Sequence, residues 1–160
     1  MKEIKVGIAD YKTSKAPDKI ITLGLGSCVG LTLYDPHVKI GGLLHIMLPD
    51  SKRFNKLDKP AKFADTGVPL MFNDLCKKGC LKQRIQAKIA GGAQMFSGLD
   101  KGFAVNIGKQ NVEAVKLELK KLGIRLLADE TGGNHGRTMI LDLNTGAVTI
   151  RMVGAPLKVI

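Results

Sequence analysis

Gly24-Leu25-Gly26-Ser27-Cys28-Val29-Gly30 is the stretch on which the fold turns. It lies between two strand-like runs, the β-branched Lys19 to Leu23 and the apolar Ser27 to Tyr34. A dinucleotide-binding turn needs G-x-G-x-x-G opening a helix. Here the last glycine comes one position late and a strand follows, so the glycines bend a chain of consecutive strands rather than cradle a pyrophosphate.

Working outward, Glu3 to Ala9 carries Ile4, Val6 and Ile8 at period two, and Lys39 to Leu48 forms a further strand beyond the turn sequence Asp35-Pro36-His37-Val38. Asp50 to Lys62 is charged and interrupted, as a surface loop would be. Ala61 to Lys78 has apolar residues near helical spacing at Ala64, Val68, Met71, Phe72 and Leu75, with Gly79 as the stop. Gly67 and Pro69 disturb that helix, which predicts either a kink near Asp65 or a second helix starting with Pro69 in its first turn. Gln86 to Ile89 reads as a strand. Gln110 to Leu122 reads as a helix, with Val112, Val115, Leu119 and Leu122 on one stripe and Gly123 at its end. Ile124 to Ala128, Thr138 to Leu143 and Ala147 to Val153 complete the strands. The order predicts an α+β fold of layered mixed β-sheets with flanking helices, in a single domain spanning residues 1–160.

Lys and Arg number 25 against 14 Asp and Glu, giving a net charge of +11, and 44% of the chain is hydrophobic. A chain of this length and composition buries a core without a disulfide scaffold or structural metal. The apolar run Leu43 to Leu48 falls far short of the ~20 residues that span a bilayer. Met1-Lys2-Glu3 leads into no signal-peptide core, so no membrane insertion and a cytoplasmic location are expected. Cys28, Cys76 and Cys80 then read as reduced thiols. Aromatics make up 4% with no Trp, and no basic motif interleaves them, so no nucleic-acid partner is expected. The positive charge suits an acidic protein surface or plain solubility.

The candidate chemistry lies in the hairpin. With a loop of Asp35 to Val38, or the tighter Pro36-His37, Leu33 opposes Ile40, Leu31 opposes Gly42 and Val29 opposes Leu44. Cys28 then opposes His45, at about 5 Å between Cβ atoms. An imidazole there would take the thiol proton and depress its pKa, making an acyl-transfer dyad. His135, in the glycine-rich Thr131 to Arg137, is the rival base. Cys76 and Cys80, four apart, match neither a redox nor a zinc spacing and read as helix-end packing, and no metal site is expected. Gly91-Gly92-Ala93 either brings backbone N–H groups to a substrate or simply turns the chain.

Taken together, Thr22 to Val29, Gly41 to Pro49 with His45, Ala87 to Phe96, Asn106-Ile107-Gly108 and Asp129 to Asn134 resemble the CheD family of chemoreceptor glutamine deamidases. The resemblance implies a layered hydrolase-like fold shared with deamidating bacterial toxins, Cys28 as nucleophile, His45 as base and Thr22 completing the site. Gly26, Ser27, Gly91 and Gly92 then become candidate substrate-binding positions. No cofactor is implied. The implied substrates are selected glutamines, and also glutamate methyl esters, on chemoreceptor cytoplasmic helices, with a CheC-type phosphatase as binding partner. The alternative is a weakly enzymatic or non-enzymatic module of the same fold that regulates such a phosphatase. If Gly24-Leu25-Gly26 is a hairpin loop, Thr22 lies beside Cys28 and away from His45; a wider connection would carry its strand to the far side.

Overall fold

The computed structural model describes residues 1–53, 59–95 and 106–160. Its strands are β1 (Glu3–Val6), β2 (Asp10–Lys15), β3 (Lys19–Leu25), β4 (Val29–Asp35), β5 (Ile40–Ile46), β6 (Gln86–Gly91), β7 (Arg125–Thr131), β8 (Arg137–Asp142), β9 (Val148–Arg151) and β10 (Lys158–Val159). The helices are α1 (Ala64–Lys77) and α2 (Ile107–Leu122). One sheet has the order β1-β3-β8-β9-β10 and the other β2-β5-β4-β6-β7. Both are mixed, with β1 parallel to β3 and β6 parallel to β7 among antiparallel pairs. The expected α+β class of layered mixed sheets with helices is what the chain adopts.

Period-two alternation sorts the side chains into two cores. Val29, Leu31 and Leu33 of β4, with Leu44 and Ile46 of β5, pack against Val68, Met71 and Leu75 of α1 and Val115 and Leu119 of α2. Tyr34, Leu43 and Ala90 point the other way, onto Ile20, Leu25, Met139 and Leu141 of the first sheet. The second sheet is therefore covered on both faces. Every residue of β4 is buried, which explains why this strand reads as a near-continuous apolar run. Each fully buried Leu or Ile contributes roughly 1.5–3 kcal/mol.

One expectation is corrected, and two alternatives that the sequence left open are decided. The β4–β5 turn is Pro36 to Lys39, closed by Lys39 N–H on the Asp35 carbonyl at 2.9 Å, with Lys39 at a left-handed φ of 54°. Lys39 thus belongs to the turn, and the register moves by two residues: Asp35 opposes Ile40, Leu31 opposes Leu44, and Gly30, not Cys28, opposes His45. A shift of two keeps each side chain on its face, so the apolar pattern could not reveal it. Second, Gly24-Leu25-Gly26 is no hairpin loop. Its flanking strands lie in different sheets, with a bulge between Thr22 and Leu25 and Gly24 at φ 68°. Third, one helix, α1, runs through both Gly67 and Pro69. Gly67 lets the helix sit close on β5, since a Cβ there would lie 3.2 Å from a methyl of Leu44.

The polar strand β2 escapes hydrophobic periodicity altogether, because an edge strand pairing only with β5 buries few of its side chains. Of the loop expected over 50–62, residues 54–58 lie outside the described residues, as does Phe96 of the Ala87 to Phe96 segment. Among the described residues no helix is long and apolar enough to cross a membrane.

Candidate active site

Cys28 precedes β4 by one residue, on the same side as Gly30, and packs against the core between the sheets. Gly30 pairs with His45, and Cys28 stands two residues before Gly30, just outside the ladder. Continuing the pairing by one step would set the two Cβ atoms diagonally, about 7 Å apart or somewhat less, a gap that a thiol and an imidazole together can span. The glycine at position 30 matters because a Cβ there would lie 2.7 Å from the Met139 sulfur.

His45 is completely buried, and its Nδ1 is 2.7 Å from Thr22 Oγ1. The Thr22 hydroxyl donates its one proton to the Val6 carbonyl at 2.8 Å. It is therefore left only lone pairs to offer the imidazole, so Nδ1 carries the ring proton and Nε2 holds a bare lone pair. Nε2 is buried and has no hydrogen-bond partner. The crossover of β3 into the other sheet puts Thr22 across from His45, which settles the question of which neighbour it touches. A second clamp comes from the turn after β1, where Ala9 N–H donates to the His45 carbonyl at 2.9 Å.

Burial lowers the His45 pKa to about 4. Burial also raises the Cys28 thiol, an effect partly offset by a hydrogen bond from the residue's own backbone N–H. The resting pair is thus neutral thiol and neutral imidazole, not the thiolate that simple adjacency suggested. Desolvation disfavours both charged forms. Such a pair acts by moving the proton in step with attack on a carbonyl, after which the buried imidazolium is a strong acid toward a leaving amine.

This titration has a consequence for folding. Unfolded His binds a proton below about pH 6.5, whereas His45 in the fold resists it until about pH 4. The unfolded state therefore binds more protons across that window. His45 contributes its full stabilisation above about pH 6.5 and loses up to roughly 3 kcal/mol as the pH falls toward 4. Urea midpoints measured at pH 4.5 and 7 should differ less in His45→Gln than in the parent. An equal drop in both proteins would contradict the buried neutral imidazole.

The backbone around Cys28 is pinned on both sides. Gly92 N–H donates to the Cys28 carbonyl and Ala93 N–H to the Gly26 carbonyl, each at 2.8 Å. Gly91 sits at φ 98°, where a Cβ would come within 2.3 Å of the Cys28 carbonyl oxygen. Gly91 and Gly92 are buried, and the Gly92 N–H is spent on Cys28, so these glycines brace the thiol segment from beneath. Arg137 in turn donates to the carbonyls of Glu130, Gly132 and Gly91, tying the first sheet to this brace. Gly26 and Ser27 are half-buried at the Cys28 end of the connection.

Sequence reasoning missed Asn111, which lies wholly buried on α2 and donates from Nδ2 to the carbonyls of Ser27 and Met47, both at 2.9 Å. The signal was a polar residue inside the apolar stripe, flanked at helical spacing by Ile107 and Val115. His135 is exposed in the loop before β8, and His37 is exposed in the β4–β5 turn. Cys76 is exposed, while burial pushes Cys80 up to about 12. Among the described residues no three His, Cys, Asp or Glu side chains are grouped to hold a metal ion.

Comparison with known proteins places these residues in context. The family model described as CheD chemotactic sensory transduction matches residues 47–152. The chain is 63% identical over 158 residues to a probable chemoreceptor glutamine deamidase CheD of Desulforamulus reducens, covering 99% of this chain and 95% of that one. It is 54% identical over 158 residues to the probable chemoreceptor glutamine deamidase CheD of Clostridium botulinum strain Hall, covering 99% and 98%. These full-length alignments extend over the part that holds Thr22, Cys28 and His45, which precedes the segment matched by the family model.

Proposed function

This chain belongs to the CheD family, and on that premise we propose that it hydrolyses the side-chain amide of selected chemoreceptor glutamines to glutamate, with Cys28 as nucleophile and the whole chain 1–160 acting as one domain. The observation that carries the reading is the hydrogen-bond chain from the Val6 carbonyl through Thr22 to His45 Nδ1, which leaves Nε2 unprotonated and unpartnered on the face that Cys28 shares.

In this mechanism Nε2 takes the Cys28 proton as the sulfur attacks the glutamine Cδ carbonyl. The imidazolium gives that proton to the nitrogen, the C–N bond breaks, and ammonia leaves a thioester. Water then gives a proton to Nε2 while its oxygen attacks the thioester carbon. Breaking the C–S bond releases glutamate, and the thiol recovers its proton. A glutamate methyl ester fits the same steps with methanol as the leaving group. Incubating a purified receptor cytoplasmic fragment with the protein should add about one dalton per converted glutamine and release equimolar ammonia, the products of this acyl transfer. An unchanged fragment mass would reject the reading.

A CheC-type phosphatase is the proposed binding partner, as the resemblance to the family implies. For the substrate, the net charge of +11 suggests electrostatic steering toward acidic receptor helices. Added salt should then lower kcat/KM on the receptor fragment and leave single-turnover rates at saturation nearly unchanged, as the Debye length shrinks to about 3 Å at 1 M. A neutral glutamine peptide responding to salt as strongly as the acidic fragment would assign the charge to solubility instead.

A further inference from the structure

Asn111 is an expensive residue where it stands. It lies in a helix interior, on the buried face of α2, with its side-chain Oδ1 buried and unpartnered. An orphaned buried acceptor is destabilising, a penalty that an aliphatic side chain would avoid. The amide orientation is fixed by its neighbours, because a flipped amide would set Oδ1 against two carbonyl oxygens. Its two acceptors lie just outside their strands: Ser27 immediately before Cys28, and Met47 two residues beyond His45.

The peptide unit is planar and trans, so the C=O of Ser27 and the N–H of Cys28 point in opposite directions. Drawing the Ser27 carbonyl toward α2 turns the Cys28 N–H away from the helix. The following peptide is held separately, by Gly92 N–H on the Cys28 carbonyl. A carbonyl attacked by the Cys28 sulfur develops its negative oxygen close to the nucleophile's own N–H, the position of a backbone oxyanion donor.

We infer that Asn111 is a positioning residue that aims the Cys28 N–H at the oxyanion formed during acyl transfer, by holding the Ser27 carbonyl on the opposite side of the same peptide. The inference rests on Cys28 being the nucleophile proposed above. It does not require that the acyl donor be a glutamine.

Two reagents for Cys28 separate this role from simple support. p-Nitrophenyl acetate acylates the thiol: the S–C bond forms, the C–O bond to the aryl group breaks, nitrophenolate departs and the thiol proton passes to His45 and then to solvent. That reaction develops an oxyanion. Iodoacetamide alkylates the same sulfur by displacing iodide at a saturated carbon and develops none. In Asn111→Ala, and in Asn111→Leu, which fills the site, the Cys28-dependent acylation burst should fall about 100-fold, the scale for loss of one oxyanion donor. Alkylation of Cys28 should stay within about threefold of the parent, and KM for the receptor fragment should hold while kcat falls, because only the transition state uses the donor. Parallel loss of both reactions would make Asn111 a structural support, and no loss in either would remove it from the site; both results overturn the inference. A parent protein that shows the burst but leaves receptor glutamines intact would reject the glutamine reading and still leave Asn111 tested.

Discussion

Cys28→Ala and His45→Ala are each expected to reduce deamidation of a receptor fragment by on the order of 10⁴-fold, and the double variant should be little worse than either single one. Without the sulfur there is no atom to form the thioester. Without Nε2 the half-buried thiol, its pKa raised by desolvation, has no acceptor for its proton. Either loss halts the same step, so the effects do not add. His135→Ala, altered in an exposed loop, should retain near-normal turnover. Loss of activity in His135→Ala with retention in His45→Ala would reverse the assignment of the base.

Thr22→Val should lower kcat by about 10²-fold or more with little change in KM, and Thr22→Ser should recover most of it. The threonine hydroxyl is both the acceptor for Nδ1–H and the donor to the Val6 carbonyl. Valine keeps the shape and removes both roles. The imidazole is then free to carry its proton on Nε2, where it cannot accept one from Cys28; a wrong tautomer in a catalytic triad costs as much as about 10⁴-fold. Serine restores the hydroxyl, so recovery separates hydrogen bonding from packing. Equal rates in Thr22→Val and the parent would show that the tautomer is set by something else.

Much of this site was legible in the order of the residues. The late glycine in Gly24 to Gly30 ruled out a nucleotide-binding turn, and the apolar runs of β4 and β5 placed Cys28 and His45 on one face. Their separation along the strands was not legible. Whether Lys39 joins the strand or the turn depends on a left-handed backbone that its side chain does not announce, and the outcome moves His45 from opposite Cys28 to opposite Gly30. The sheet to which β3 belongs was hidden as well, because a glycine connection between strands looks the same whether it closes a hairpin or crosses between layers. That crossing decides that Thr22 meets His45.

Pairing distant in sequence explains the remaining gaps. Asn111 meets Ser27 across 84 residues and Met47 across 64, so no local pattern could connect them. The glycines at 91 and 92 left open whether they served a substrate or simply turned the chain. It is the peptide of Cys28 that lies against them. The neutral resting state of the thiol and imidazole was likewise invisible, since it follows from burial between two sheets rather than from which residues are adjacent.

The most direct measurement is mass spectrometry of the acid-quenched protein after brief mixing with a glutamine-bearing receptor fragment. A transient adduct is expected, equal to the fragment mass less one ammonia, located on the peptide containing Cys28, cleaved by hydroxylamine and absent in Cys28→Ala. Conversion of the fragment by Cys28→Ala at the parent's rate, or an adduct mapped to Cys76 or Cys80, would contradict it.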